Sequence, residues 1–110
     1  MERTAVLAAL SAMASETRLD LLRALVVAGD DGLPAGEIAA RFGIAASRLS
    51  FHLAALEQAR LVTSRRSGRN IFYAADHAGI GGVIGYLLHD CCAGHPKVCS
   101  CASRTPAAQG

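Results

Sequence analysis

The sequence predicts a mainly α-helical domain carrying one small β-hairpin. Three observations predict it. Apolar residues recur at helical spacing through most of the first sixty positions. The stretch LVTSRRSGRNIFYAA, Leu61 to Ala75, instead alternates apolar and polar residues on both sides of a Ser-Gly pair. Helical spacing then resumes in DHAGIGGVIGYLLHDCC, Asp76 to Cys92. A chain of 110 residues holds one such domain, with a modest core.

Residues 3 to about 13 read as a first helix, with Val6, Leu7 and Leu10 on one side. Ser15 suits the N-cap of a second helix, which carries Leu19, Leu22, Leu25 and Val26 at helical spacing. That helix ends near Gly29, and the polar turn Asp30-Asp31-Gly32 follows. Pro34 opens the short helix AGEIAARF, which stops at Gly43. The next helix lies in AASRLSFHLAALEQARLV, where Leu49, Leu53 and Leu56 form one stripe and Arg48, Ser50 and His52 fall elsewhere. Ala45 is a poor N-cap for it. A short helix, a tight turn containing glycine and a helix with polar first turns make a helix-turn-helix pattern.

In the hairpin, Val62, Ile71 and Tyr73 carry β-propensity, Gly68 suits the tip, and Arg65, Arg66 and Arg69 crowd it. A helix-turn-helix followed directly by a basic hairpin is a winged helix-turn-helix, a conjunction far more specific than either half. The last helix, N-capped at Asp76, carries Ile80, Val83, Ile84, Leu87 and Leu88. It also holds Gly79, Gly81, Gly82 and Gly85, which would weaken it in isolation. They make sense where another helix packs closely, as in a dimer. Beyond Cys101 the tail ASRTPAAQG reads as disordered.

Charge is distributed more tellingly than its total of +2. Residues 1–40 carry 3 basic and 6 acidic groups, residues 41–70 carry 6 basic and 1 acidic, and residues 71–110 carry 2 of each. The middle window is a local footprint suited to phosphate contact. The N-terminal apolar stretch ends in a signal-like Ala12-Met13-Ala14, but Glu2 offsets Arg3 and an amphipathic helix explains the same letters. The longest apolar run, Ile80 to Leu88, is nine residues, too short to span a membrane. A cytoplasmic location, where thiols stay reduced, is the expectation.

All four cysteines lie in HDCCAGHPKVCSC, residues 89–101. A reducing cytosol and the strain of an adjacent pair disfavour disulfides. No cysteine is followed six positions later by arginine, since Lys97, Val98, Thr105 and Ala107 stand there, and no CxxC pair occurs. Thiol enzymology is therefore not expected. Clustered thiolates instead suit a soft, thiophilic ion. In a continuous helix Cys91 and Cys99 would stand about 12 Å apart, too far to share one ion. Gly94 and Pro96 are placed to end the helix and turn the chain, bringing Cys99 back to Cys91 and Cys92. Three thiolates match the trigonal pyramid of arsenite. Four ligands, with Cys101 or His95 added, match zinc.

With these elements in place, GEIAARFGIAASRLSFHLAALEQARLVTSRRSGRNIFYA resembles the winged-helix core of the ArsR/SmtB repressors, and ALSAMASETRLDLLRAL resembles their first two helices. The resemblance covers about residues 5–92. It implies a homodimer joined through the first and last helices, bound to palindromic operator DNA and released by a metal or metalloid. It identifies the helix from Ala46 to about Ala59 as the recognition helix. Ala46, Ser47, Arg48, Ser50 and His52 occupy its exposed first turns, where family members contact the major groove. Arg48 suits guanine, and Ser47 and Ser50 suit phosphate or base edges. Arg66 and Arg69 are placed on the wing, near phosphates or the minor groove.

Two metal sites common in that family are not matched. The ELCVCDL-type segment is replaced by PAGEIAAR, without cysteine. The DxH…HxxE/H set is broken, since Asp76 and His77 are adjacent, His89 follows, and Cys92 replaces the last ligand. The chain is similar instead to a subgroup of arsenical repressors with a vicinal cysteine pair ending the last helix and a third cysteine just downstream. That resemblance implies trivalent arsenic, inorganic or methylated, held by Cys91, Cys92 and Cys99, with Cys101 as the alternative third thiol and Cys101 or His95 as the fourth ligand if the ion is zinc. The expected organisation is a winged-helix and dimerisation domain at residues 1–92 and a cysteine-containing tail at 93–110. The competing expectation keeps the fold and makes the tail a sensor of zinc, cadmium, copper or thiol oxidation.

Overall fold

The helical spacings fold around one shared apolar interior. In the computed structural model, which describes residues 1–103, α1 spans Arg3–Met13 and α2 spans Glu16–Ala28. Ser15 caps α2 as expected, its hydroxyl accepting the Arg18 amide at 3.3 Å. Helix α3 runs Ala35–Phe42 and closes on Gly43, whose φ of +62° is the left-handed geometry that glycine supplies without strain. Helix α4 follows at Ala46–Gln58.

Strands β2 (Val62–Ser67) and β3 (Asn70–Ala75) form the expected antiparallel hairpin, paired from Val62 with Ala75 out to Ser67 with Asn70. Its two-residue loop has Gly68 first, at φ +62°, the place where a tight hairpin turn takes glycine. A third strand was not foreseen. β1, Leu33–Pro34, pairs with the other edge of β3 and gives the order β1-β3-β2. Two residues are too few to show a period in sequence.

After β3, Asp76 caps α5 (His77–Gly85), its carboxylate accepting the Gly79 amide at 3.0 Å. The α-helix does not run on to Cys92. From Tyr86 to Cys91 it widens into a π-helical segment, and the Cys92 amide reaches back to the Leu87 carbonyl at 3.2 Å. Gly94, at φ +65°, then turns the chain, and α6 runs Pro96–Ala102. The thiol-bearing tail thus contains a helix, with proline at a first-turn position. Of the stretch expected to be disordered, Ala102 ends α6 and Ser103 caps it, while residues 104–110 lie outside the described residues.

The core takes Val6 and Ala9 from α1, Leu21 and Leu25 from α2, Ile38 from α3, the Leu49–Leu53–Leu56 stripe of α4, and Leu61, Val62 and Val83 beyond it. Each fully buried leucine or isoleucine contributes about 1.5–3 kcal/mol relative to exposure. The expected stripes on α1 and α2 are only half buried. Leu7 is 58% exposed and Leu10 37%, while Leu19 and Val26 also face outward. Val6 rather than Leu7 faces the interior of this chain.

The glycines of α5 divide in the same way. A Cβ at Gly79 would overlap the carbonyl oxygen of Arg60, so the chain's own packing requires that glycine. Gly82 lies against the Met1 side chain, whereas Gly81 and Gly85 have open space where a Cβ would stand. Only the last two remain for a second helix to use. Among the described residues no helix is long and apolar enough to cross a membrane.

Candidate nucleic-acid interface and thiol cluster

Helix α4 turns its leucine stripe inward, which leaves its first turns outside. Ala46, Ser47, Arg48 and Ser50 are all exposed, as the sequence predicts. Ala45 offers no side-chain cap, so the first-turn amides of α4 have no side-chain acceptor. Such amides, at the positive end of a helix, favour a phosphate oxygen. The poor cap weakens the isolated helix and leaves those amides open to such an acceptor.

His52 stands differently from the others. It is half-buried, and its Nδ1 accepts the Nε–H of Arg18 from α2 at 3.1 Å. The ring proton therefore sits on Nε2. Burial, followed by the charges of Arg18 and Arg48, holds its pKa below the ordinary histidine value. It serves here as a neutral tie between helices, with Nε2 as its remaining donor.

The sequence reading missed Phe51. It is 66% exposed on α4 and lies edge-on to His52, with centroids 5.8 Å apart, while the Arg18 guanidinium sits 5.6 Å from its centroid. The available signal was an aromatic residue between polar neighbours and off the leucine stripe.

On the wing, Arg66 and Arg69 are exposed near the tip. Arg65 is not equivalent to them. Its guanidinium lies 4.6 Å from the Phe72 ring centroid and donates to the Asp31 carbonyl at 3.0 Å, which ties it down. Ser64 donates to Glu57 at 2.7 Å and so fastens the hairpin to the end of α4. Together the first turns of α4 and the wing tip present Arg48, Arg66 and Arg69 to the outside.

The second group of expected residues lies beyond α5. Cys91 ends the π-helical segment and is exposed; Cys92 and Cys99 are half-buried; Cys101 is exposed. The turn at Gly94 does bring α6 back toward the pair. Partial burial, a hydrogen bond with Cys91, and the neighbouring Cys91 and Cys99 charges push the Cys92 thiol above its ordinary value. Cys99 and Cys101, two positions apart on α6, cannot share a face. His95 Nδ1 accepts the Lys97 amide at 3.2 Å and caps α6. Among the described residues no three histidine, cysteine or acidic side chains converge closely enough to hold one ion as they stand. The donor chemistry of the thiols fits a thiophilic ion. The other expected fragments are dispersed: His77 pairs with Asp30 of the α2–β1 turn at 2.9 Å.

Comparison with known proteins agrees with the surface. Residues 13–65 match a helix-turn-helix domain family. The chain is 38% identical over 80 residues to the transcriptional activator HlyU of Vibrio cholerae, covering 73% of this chain and 70% of that protein. An ArsR-like transcriptional regulator from Rhodococcus superposes with a TM-score of 0.71 at 25% identity, covering 88% of this chain and 89% of the other. A homodimeric winged helix-turn-helix DNA-binding domain from Mycobacterium bovis shares the fold at 24% identity and a TM-score of 0.61, over 79% of this chain and 84% of that one.

Proposed function

This chain belongs to the ArsR family of winged-helix transcriptional regulators, and from that premise we propose that it is a metalloid-responsive repressor. It acts in the cytoplasm as a homodimer on palindromic operator DNA, and trivalent arsenic bound to Cys91, Cys92 and Cys99 releases it. Ala46, Ser47, Arg48, Ser50 and His52 belong to the major-groove contact, and Arg66 and Arg69 to the wing contact. The observation that carries the sensing half is the setting of Cys92. Cys92 is half-buried beside its exposed chain neighbour Cys91, at the end of the segment continuous with α5, and the turn at Gly94 leads back to the half-buried Cys99.

Two further observations support the dimer. The exposed Leu7 and Leu10 of α1 and Ile84 of α5 are large apolar side chains without cover in the single chain. The M. bovis domain of the same fold is homodimeric. Residues 1–92 supply the fold and the dimer face, and residues 93–110 supply the third thiol.

Release follows from differential affinity. A ligand that favours one arrangement of the thiol end must favour a dimer geometry less suited to half-sites one turn apart. A tenfold loss of operator affinity needs only about 1.4 kcal/mol of coupling. Cys91, Cys92 and Cys99 bind the ion, and the turn at Gly94 sets their approach. Cys101 faces away from Cys99 and is left out.

A cysteine-to-serine series tests the reading. Cys91→Ser or Cys92→Ser is expected to retain operator binding and lose release by arsenite. Retained release in both variants removes the thiol site. Response to zinc or cadmium alone, dependent on Cys101 or His95, replaces arsenic with a four-ligand metal.

A further inference from the structure

The outward face of α4 carries a large apolar side chain, Phe51, that the described residues leave 66% exposed. Leu49, Leu53 and Leu56 are buried, so helical periodicity turns residues 47, 51, 54 and 58 directly away from the core. Three of these, Ser47, Ala54 and Gln58, are small or polar. Phe51 is neither, and it lies at the centre of the face one turn beyond Ser47.

The ring is exposed yet held. Arg18 sits above it at 5.6 Å and His52 meets it edge-on at 5.8 Å, with the two rings inclined by 67°. Arg18 is itself fixed, with Nε donating to His52 at 3.1 Å and a terminal nitrogen donating to the Ala12 carbonyl at 3.5 Å. An aromatic ring left in water but fixed in orientation is suited to a ligand that arrives from outside. Its surroundings narrow the choice. Arg18, Arg48 and Ser47 flank it, a setting that favours a polyanion over an apolar protein partner. In the major groove the apolar feature of a base edge is the 5-methyl group of thymine. Insertion between base steps belongs to minor-groove binders and does not suit a helix lying in the major groove.

The geometry points to Phe51 as a specificity-determining residue that selects thymine at one position of each half-site through its methyl group, with Arg18 as the positioning residue that holds the ring. The inference rests on the placement of α4 in the major groove proposed above.

The test selects binding sites for the full-length protein from a pool of randomised duplex DNA, in parallel for wild type and Phe51→Ala. Phe51 is exposed, so the variant is expected to melt with wild type. Wild type should enrich a thymine in each half-site that the variant does not. Deoxyuridine placed there in one half-site removes only that methyl group and should weaken wild-type binding about fourfold, at about 0.8 kcal/mol per buried methyl. Phe51→Ala should bind the two duplexes equally. Arg18→Lys keeps the charge and loses the Nε–H donor, and should lower the thymine-to-uracil ratio toward one. A wild-type ratio in that variant removes the role of Arg18. If both proteins select the same bases, or lose equally on uracil, the assignment of Phe51 is overturned while the repressor reading stands. Failure of wild type to enrich any duplex overturns both.

Discussion

Arg18 of α2 donates its Nε–H to Nδ1 of His52 on α4 at 3.1 Å, across 34 positions of sequence. This contact joins a helix of the scaffold to the helix that carries the candidate DNA-contacting residues. It also makes a pH prediction. The folded state holds the His52 pKa below 6.5, so the unfolded chain binds more protons between that lowered value and 6.5. The associated stability is present above pH 6.5 and is lost as pH falls through the folded pKa. Thermal melts should therefore show a falling midpoint below pH 6.5. His52→Asn, which keeps an acceptor near Nδ1 and cannot titrate, should flatten that dependence. An identical pH profile in the variant would assign the effect elsewhere.

The core stripe of α4 sets a stability prediction. Leu56 is completely buried among helices and strands, so Leu56→Ala should cost about 2–5 kcal/mol in urea unfolding. Leu7→Ala, at a side chain 58% exposed in the single chain, should cost far less in a monomeric background.

That same Leu7 carries the dimer prediction. A charge on an exposed apolar face should leave the fold intact and oppose association. Leu7→Lys is expected to weaken dimerisation at least about tenfold, since burying one leucine contributes about 1.5–3 kcal/mol. Sedimentation should show monomer with a wild-type circular dichroism spectrum. A stable Leu7→Lys dimer would place the interface elsewhere.

The wing predicts a graded electrostatic response. Removing one phosphate-contacting charge from each protomer should reduce the slope of log affinity against log salt by about 1.8 for the dimer, at about 0.9 per contact. Arg66→Ala and Arg69→Ala should each do this without loss of stability. Arg65 is occupied by Phe72 and Asp31, so Arg65→Ala should chiefly loosen the hairpin and lower the melting midpoint. Equal salt slopes for all three variants and wild type would detach the wing from DNA.

Much of the architecture was legible in the sequence because its signals are local. Ser15, Gly43, Gly68 and Asp76 act within a few residues of themselves, through a cap or a positive φ, and each stands where the sequence predicts. What faces what was less legible. Val6 and Leu7 are adjacent and both apolar, yet one packs into this chain and the other lies open. Periodicity marks an apolar side of a helix without saying which neighbour covers it. The same limit applies to Gly79, whose need is set by a carbonyl nineteen positions earlier, at Arg60.

The candidate sites divide along similar lines. The exposed first turns of α4 followed from the leucine stripe. The ties of Arg18 to His52 and of Arg65 to Asp31 depend on tertiary approach and left no pattern in the chain, whereas Arg65 and Phe72 meet as direct partners in the hairpin register. At the thiol end the turn at Gly94 was readable from glycine and proline. The π-helical register from Tyr86 to Cys91 was not, because it answers to packing rather than to residue type.

The most direct test of the central claim is fluorescence anisotropy of labelled DNA from upstream of the protein's own gene. The bound complex would be titrated under reducing conditions with arsenite, and separately with zinc and cadmium. Release by arsenite near one equivalent per chain, with zinc inert, is the result predicted for the three-thiol switch. A complex that withstands arsenite and yields only to zinc or cadmium would contradict it.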